Sequence, residues 1–295
     1  MNNKLKAMYM LMLPMVLMFI IGYSLYNMLK KPIDFAWLAA IMTAMPLLMF
    51  LMKTMIFKSS PRTHKVLPVH SSAVIMGLAA ALVLFAFPNI MSSGKQNFIA
   101  LILAEIGFMM HMLYVFWYSA LQRRPQDTLA VGKKIPNFVA YKNDIEVPST
   151  SFKGFSTVII FYRGNWCPFC MAQIKELAQK YRKLVNSGIK IVLISPQAEK
   201  ITETLAQRFN VPFIFLTDKD NQAATLLGIN HNNGVPMGMG MMGYDADTVY
   251  PTVIVINKKS KIVYLDETQS FRNRPQPKTY LDILLDEQPL QMQTA

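Results

Sequence analysis

The chain has 295 residues, of which 53% are hydrophobic, and it carries a formal net charge of +13 with only two cysteines. Two cysteines exclude a disulfide-stapled secreted scaffold and a zinc site built from cysteines alone. Eleven Lys and Arg against two acids give the part up to Arg124 a charge of +9, and that part is also the most apolar. Because basic residues are not interleaved with aromatics on a soluble face, nucleic-acid binding is not predicted.

Four apolar segments of the length needed to cross a bilayer lie at the start of the chain. They cover approximately residues 7–29, 35–52, 66–87 and 98–121. No A-x-A-like site follows the first segment, which argues against a cleaved signal peptide. Tyr114, Trp117 and Tyr118 suit an interfacial aromatic belt. We therefore predict a four-helix transmembrane region over residues 1–121, with the lipid bilayer as its partner.

The Lys and Arg residues between these segments predict the orientation of the chain. Ten fall on one predicted side, namely Lys4, Lys6, Lys53, Lys58, Arg62, Lys65, Arg123, Arg124, Lys133 and Lys134. Three fall on the other, namely Lys30, Lys31 and Lys95. The asymmetry predicts an integral membrane protein, in the inner or plasma membrane if bacterial, with both termini and the C-terminal domain in the cytoplasm.

Ionisable residues within the apolar segments have two interpretations. Glu105 and His111 lie in the fourth segment, and His70 lies near the start of the third. Intramembrane ionisable groups often mark proton, quinone or haem sites, but they also form hydrogen bonds between helices. Glu105 and His111 are six residues apart and do not share a helix face. No cysteine lies in this region, so it cannot relay thiol equivalents, and anchoring is its default role.

The second part of the chain begins after a polar linker at residues 122–131 and continues to residue 295 as one domain. Apolar β-type runs at residues 156–162, 189–195, 213–216 and 252–256 alternate with helical patterns at 167–186, 199–210 and 222–227. A hairpin pairs residues 252–256 with 262–265, and a helix closes the chain at 278–286. This order predicts an α/β fold with a mixed sheet covered by helices on both faces.

The two cysteines, Cys167 and Cys170, lie three residues apart between the first of these strands and its helix. At a helix N-terminus the backbone N–H groups and the macrodipole favour a thiolate, so the pKa of Cys167 is expected to fall. Cys170 follows one turn later, within reach to close a disulfide. The pair predicts thiol–disulfide redox chemistry, which needs no cofactor or metal beyond the two sulfurs.

Residues 132–290 resemble the thioredoxin-like superfamily, and more closely its redoxin branch related to alkyl hydroperoxide reductase C and thiol-specific antioxidant proteins, often called peroxiredoxin-like. The resemblance is carried by residues 161–170 (FYRGNWCPFC), 213–220, 234–252 and 271–275. It implies a thioredoxin-like mixed sheet with flanking helices. It also implies that Cys167 is the attacking thiolate and Cys170 the resolving one.

The same resemblance implies how the surroundings of the pair are built. Pro251 is expected to be a cis-proline facing the cysteines and presenting the Tyr250 backbone to a partner, although an ordinary trans proline at a strand entry is the alternative. Trp166 and Phe169 are expected to shape an apolar rim beside the sulfurs.

One departure bears on peroxide chemistry. True peroxiredoxins carry a Pro-x-x-x-Thr/Ser-x-x-Cys signature, and here both the Pro and the Thr/Ser are absent, with Gly164 three positions before Cys167. Arg163, or Arg272 as a second candidate arginine, is predicted to supply a guanidinium that lowers the thiol pKa. A surface ion pair is the alternative for either arginine.

A segment rich in Met and Gly, residues 236–243, also resembles a loop of the redoxin branch. Its four methionines are candidate soft ligands for copper. Flexible methionines also form adaptable contact surfaces. We expect a mobile loop near the active site rather than a metal site.

The sequence thus predicts a membrane-anchored thiol–disulfide oxidoreductase that acts on a disulfide-bearing protein and is reset by an external thiol reductant. The first alternative is a peroxidase that reduces hydroperoxides with the same two cysteines. The second is a non-catalytic redox sensor or assembly module that signals through the four helices.

Overall fold

The computed structural model describes residues 2–30, 35–57, 66–87, 97–123, 127–181, 188–209 and 211–286. Several basic residues used above for orientation, Lys31, Lys58, Arg62, Lys65, Lys95 and Arg124, lie outside these ranges. The chain divides into two compact units. One comprises Leu5–Ala120, and the other comprises Leu121–Ala295 together with Met1–Lys4.

The first unit consists of four helices that are long and apolar enough to cross a membrane, judged by length and composition. Their bounds are α1 Asn2–Lys30, α2 Phe35–Phe57, α3 Pro68–Ala86 and α4 Phe98–Met112. A π-helical turn, Leu113–Tyr118, extends α4. α2 is the most buried of the four and packs against both α3 and α4, so it forms the centre of the unit.

Two glycines allow α3 and α4 to approach α2 closely. A Cβ added at Gly77 would lie 2.9 Å from Met42 Cβ, and one added at Gly107 would collide with the Thr43 side chain. Such small residues let membrane helices pack backbone to backbone. The Thr43 hydroxyl donates a hydrogen bond to Ala40 O within its own helix, which leaves little freedom to relieve a clash.

We expect Gly107→Ala to destabilise the helical unit by about 1–3 kcal/mol, because overpacking forces backbone shifts. The matched control is Gly22→Ala, since nothing lies within 4 Å of a Cβ at Gly22. Thermal unfolding of the detergent-solubilised protein measures both. Equal midpoints for the two variants would contradict the close packing described here.

The ionisable residues of this unit differ in their surroundings. His111 is fully buried, and its Nε2 lies 2.9 Å from the Ser71 hydroxyl of α3. The structure therefore gives His111 a hydrogen bond between helices, the second of the two interpretations above. Glu105 is exposed on α4, and His70 packs edge-on against Phe50 at 5.4 Å.

The second unit is built on a seven-stranded mixed sheet of order β2-β1-β5-β4-β3-β8-β9, beside a two-stranded sheet of β6 and β7. The strands are β1 Val139–Lys142, β2 Ile145–Pro148, β3 Thr157–Phe161, β4 Lys190–Ser195, β5 Ile214–Thr217, β6 Asn230–His231, β7 Thr248–Val249, β8 Thr252–Ile256 and β9 Ile262–Asp266. The helices are α5 Pro168–Tyr181, α6 Glu199–Phe209, α7 Gln222–Leu226 and α8 Pro277–Asp286. The predicted mixed sheet with flanking helices is confirmed.

The central strands explain the continuous apolar runs of the sequence. β3 pairs in parallel with β4 and antiparallel with β8, and every residue of β3 and β8 is buried. A strand covered on both faces needs apolar side chains at every position, not at alternate ones. Ile159, Phe161 and Ile254 join the core from the middle of the sheet.

The hairpin of β1 and β2 was not predicted. Its turn residues, Asn143 and Asp144, have positive φ angles of 51° and 61°. Two consecutive positive φ values characterise the tight hairpin turn that Asn and Asp tolerate well. The Asn-Asp pair was the feature of the sequence that could have indicated this hairpin turn. The strands on either side have four residues each, and only one of these eight residues is buried, so hydrophobic periodicity did not reveal them.

Candidate active site

The topology brings the cysteine loop and the start of β8 to one edge of the sheet. β3 ends at Phe161, and the chain then runs through residues 162–167 into α5. Phe161 pairs with Thr252, the first residue of β8. Since the two strands are antiparallel, Pro251 comes directly before β8 at the same sheet edge where the cysteine loop leaves β3.

Cys167 precedes the first residue of α5, and Cys170 lies in the first turn of the helix. The Cys167 N–H donates to Gly164 O at 3.2 Å, and its carbonyl accepts from the Met171 N–H at 3.1 Å. Both cysteines are free thiols, with exposed fractions of 1% for Cys167 and 0% for Cys170. The pair is therefore reduced, one turn apart and covered by protein.

The loop before the pair is held by a buried polar network. The side-chain carbonyl of Gln197 accepts from the Asn165 N–H at 2.8 Å, and its amide donates to the Tyr162 hydroxyl at 3.1 Å. Gly164 has a φ of +144°, and a Cβ there would lie 2.5 Å from Nε1 of Trp166. Glycine is thus required at this position both by backbone conformation and by the ring packed against it.

The electrostatics differ from the expectation for Cys167. Burial opposes ionisation of Cys170, but a hydrogen bond from Cys167 and the charges of Arg274 and Arg163 outweigh it and lower the pKa of Cys170 to about 5. Burial, together with donation of that hydrogen bond, raises the pKa of Cys167. The prediction of a lowered pKa at Cys167 is wrong for the buried, reduced pair. The two thiols share one proton, and the position of Cys167 at the helix terminus does not by itself decide which sulfur keeps that proton.

Arg163 sits beside the pair in an aromatic setting. Its guanidinium lies 4.7 Å from the Trp166 ring and 5.4 Å from the Phe271 ring, and it donates to Gly234 O. The Thr248 hydroxyl donates to Arg163 O at 2.7 Å. Arg163 is buried, and it connects the cysteine loop to residues 234–248.

Sequence reasoning missed a second arginine at the site. Nη2 of Arg274 lies 3.9 Å from Cys170 Sγ. Arg272, the candidate named from the sequence, is also buried, at 1% exposure, and its role stays a prediction. Arg272 and Arg274 are two residues apart, and the sequence gave no means of deciding which of them lies beside the cysteines.

The predicted rim residues divide into two kinds. Trp166 is half-buried, whereas Phe169 is buried and packs edge-on against Phe271 at 5.4 Å. Tyr250 is half-buried and stacks on His231 at 4.4 Å, and the Arg123 guanidinium lies 5.6 Å from its ring. Phe169 therefore packs in the interior beneath the site, whereas Trp166 and Tyr250 are partly exposed to solvent.

The predicted cis peptide bond at Pro251 is wrong, since the described residues contain no cis peptide bond. The trans alternative applies. A trans X-Pro bond is favoured by about 0.5–1 kcal/mol, and directly before β8 the missing N–H of Pro251 costs no hydrogen bond of the sheet.

Residues 234–248 form a segment over the cysteine loop, which we call the Met flap. Its tip carries the exposed side chains of Met237, Met241 and Met242. The Met flap contacts the cysteine loop through Gly234 O, which accepts from Arg163, and through the Tyr244 hydroxyl, which donates to the Asn165 side chain. Within the described residues no three His, Cys, Asp or Glu side chains are grouped to hold a metal.

We expect Tyr244→Phe to increase the rate at which iodoacetamide alkylates the reduced protein about two- to tenfold, because one hydrogen bond holding the Met flap is worth about 0.5–1.5 kcal/mol. Tyr141→Phe is the matched control, since Tyr141 lies on β1 away from this loop. Mass spectrometry of the alkylated cysteines gives the rates. Equal rates for the two variants would show that the flap does not limit access.

A reduced, buried Cys-Pro-Phe-Cys pair at the start of a helix that follows an inner strand of a mixed sheet defines a thioredoxin-like redox domain. Residues 131–265 match the model of the AhpC/TSA family. The matched segment is a little under half of the chain and includes Cys167 and Cys170.

Individual relatives are distant. A Coxiella burnetii protein named as a peroxiredoxin of the bcp type is 27% identical over 35% of this chain and 68% of its own length. The chloroplastic peroxiredoxin Q of Triticum aestivum is 28% identical over 33% of this chain, which spans 46% of that protein. The thiol-disulfide oxidoreductase ResA of Bacillus subtilis is 24% identical over 47% of this chain and 68% of its own. The structure of reduced Prx3 from Vibrio vulnificus aligns with 53% of this chain and 99% of its own, at 17% identity and a TM-score of 0.44. These relatives are, by name, thiol-dependent redox proteins.

Proposed function

We propose that the protein is a membrane-anchored thiol–disulfide oxidoreductase whose reactive group is the pair Cys167 and Cys170. The observation that carries the proposal is the reduced dithiol within one helical turn, with one sulfur favoured as the thiolate beside the buried Arg163 and the half-buried Arg274. The kinship of residues 131–265 with proteins named as thiol-disulfide oxidoreductase and peroxiredoxin supports it.

The geometry suggests how the reaction proceeds. Moving the shared proton from Cys167 to Cys170 leaves Cys167, the sulfur at the helix start, as the attacking thiolate. Cys167 then forms a mixed disulfide with one substrate sulfur, and the other substrate sulfur leaves as a thiolate that takes a proton from solvent. Cys170 loses its proton and attacks Cys167, which releases the second substrate sulfur as a thiol and closes the protein disulfide. Two equivalents of an external thiol reductant restore the dithiol.

Reduction of a model protein disulfide, such as that of insulin, by the full-length protein with a thiol reductant tests this function. The proposal requires turnover above that of the reductant alone. Turnover that equals the reductant-only rate would refute it.

Peroxidase activity is the second candidate, favoured by the relatives named as peroxiredoxins. Here Cys167 would take one oxygen from a hydroperoxide to give a sulfenic acid and an alcohol or water, and Cys170 would condense with it to a disulfide and release water. Stopped-flow oxidation by hydrogen peroxide distinguishes the two. Because Gly164 replaces the hydroxyl residue of the peroxiredoxin signature, we expect oxidation no faster than that of a free thiol.

We further propose that α1 to α4 span a bilayer and that both termini and the redox domain face the cytoplasm. The length and composition of the helices and the distribution of Lys and Arg support this. Single cysteines at the exposed position Lys278 and at Lys31, in a chain lacking Cys167 and Cys170, test it with a membrane-impermeant thiol reagent on intact cells. The proposal requires labelling at Lys31→Cys only, and the reverse pattern would contradict it.

A sensor or assembly role remains the third hypothesis. It requires that Cys167→Ser change partner binding while no turnover is lost. Measured turnover by the unsubstituted protein would exclude it as the main role.

A further inference from the structure

Arg274 lies within the stretch 271–275 that resembles the redoxin branch, but beyond the segment that matches the AhpC/TSA family model. It follows β9, nine residues beyond the end of the matched segment at residue 265. Two backbone carbonyl groups fix the position of its guanidinium. Nη1 donates to Ser270 O at 3.3 Å and to Asn273 O at 2.9 Å. Nη2 is then left pointing at Cys170 Sγ, 3.9 Å away. The local fold of residues 270–274 thus orients the Nη2 group of the guanidinium toward the sulfur of Cys170.

The other charged and titratable groups near the pair have different engagements. Arg163, from the loop after β3, donates to Gly234 O and lies against two aromatic rings. Tyr162 lies near Cys170, and burial raises its pKa, so its hydroxyl is neutral. Asp266, at the end of β9, interacts with the charge of Arg274. The backbone N–H and the charge of Arg163 also lower the pKa of Cys170, whereas Arg274 is the cation whose side-chain N–H points at the Cys170 sulfur.

We propose that Arg274 is the counter-ion of the reduced pair: it holds the negative charge on Cys170 and thereby favours the dithiol over the disulfide. This deepens the oxidoreductase function proposed above and rests on it. When the disulfide forms, the anion disappears and Arg274 loses its interaction with a charged Cys170 sulfur. A group that stabilises the reduced thiolate makes a dithiol–disulfide pair more oxidising.

The equilibrium that reports this effect is exchange with glutathione. The protein disulfide and two glutathione thiols give the protein dithiol and one glutathione disulfide, a transfer of two electrons to the protein. Where Cys170 stays ionised, one proton is released to solvent. Since the chain has only two cysteines, the dithiol fraction of the full-length protein measures this pair alone.

The first test compares Arg274→Gln, Arg274→Lys and the control Arg208→Gln, an exposed arginine on α6, in glutathione buffers. We expect Arg274→Gln to lower the equilibrium constant for reduction about tenfold, or about 30 mV. Arg274→Lys keeps the charge and should recover most of the loss. Equal constants for Arg274→Gln and Arg208→Gln would overturn the proposal.

The second test asks which sulfur Arg274 acts on. The ultraviolet absorbance of the thiolate is titrated with pH in Cys167→Ser and Cys170→Ser proteins, each with and without Arg274→Gln. We expect Arg274→Gln to weaken the acidity of the thiol at position 170 about tenfold, and that at position 167 less than about twofold. Equal changes at both positions, or a larger one at 167, would overturn the assignment.

These outcomes are distinguishable from failure of the proposed function. If the unsubstituted protein forms no disulfide in glutathione buffers, the oxidoreductase function itself fails. If it forms the disulfide and Arg274→Gln leaves both the equilibrium and the titrations unchanged, the counter-ion assignment alone fails.

Discussion

Cys167→Ser is expected to abolish disulfide reduction, with a loss on the order of a thousandfold or more, because the attacking sulfur is removed and no other cysteine than Cys170 exists in the chain. Cys170→Ser is expected to behave differently. Cys167 can still attack a substrate disulfide, but no second thiol resolves the product. A mixed disulfide therefore accumulates, with one substrate molecule linked to Cys167 of each protein molecule.

Non-reducing electrophoresis and mass spectrometry of the trapped species separate the two variants. The expected result is a stable adduct with Cys170→Ser and none with Cys167→Ser. The reverse pattern would assign the attack to Cys170, the sulfur that carries the charge in the buried, reduced pair. It would contradict the roles that the family resemblance implies. Loss of activity in both variants without any adduct would contradict attack by either sulfur.

The reactivity of the reduced pair is expected to depend on pH in a way that an ordinary thiol does not. The thiolate is the reactive form, and the pKa of Cys170 is lowered to about 5. Its ionised fraction is therefore nearly complete from pH 7 upward, falls through pH 5, and is about a tenth at pH 4. An ordinary cysteine with a pKa of about 8.5 would instead gain almost tenfold in thiolate for each pH unit between 6 and 8.

Alkylation rates measured between pH 4 and 8 on the full-length protein decide between these profiles. We expect a plateau above about pH 6 and about a tenfold decline by pH 4, given the ionisation just described. In Cys170→Ser the plateau should be lost, because the remaining sulfur is the one whose pKa burial raises. A rate that climbs steadily from pH 6 to 8 in the unsubstituted protein would mean that neither sulfur is stabilised as the anion.

The elements of the redox domain were largely predictable because its central strands are covered on both faces. The apolar runs at β3, β4 and β8 and the helical spacing before Tyr181 in α5 follow directly from that burial. The hairpin of β1 and β2 was missed because only one of the eight residues in its strands is buried, which leaves no apolar pattern.

The site was only partly predictable, for a physical reason that Arg274 illustrates. Cys167, Cys170 and Arg163 are close in sequence, so their proximity follows from one strand, one loop and one helix. Arg274 reaches Cys170 from 104 residues away, and nothing local distinguishes it from Arg272. The distribution of the proton between Cys167 and Cys170 depends on burial and on these distant charges, which a helix-terminus argument does not contain.

The most direct test of the account is to follow the peptide that contains both Cys167 and Cys170 through one cycle of mild oxidation and reduction. Mass spectrometry of the full-length protein after oxidised glutathione should show that this peptide loses two hydrogen atoms and regains them with reduced glutathione. A peptide that stays a dithiol, or that gains oxygen or glutathione at each sulfur without closing a bond between them, would contradict the account.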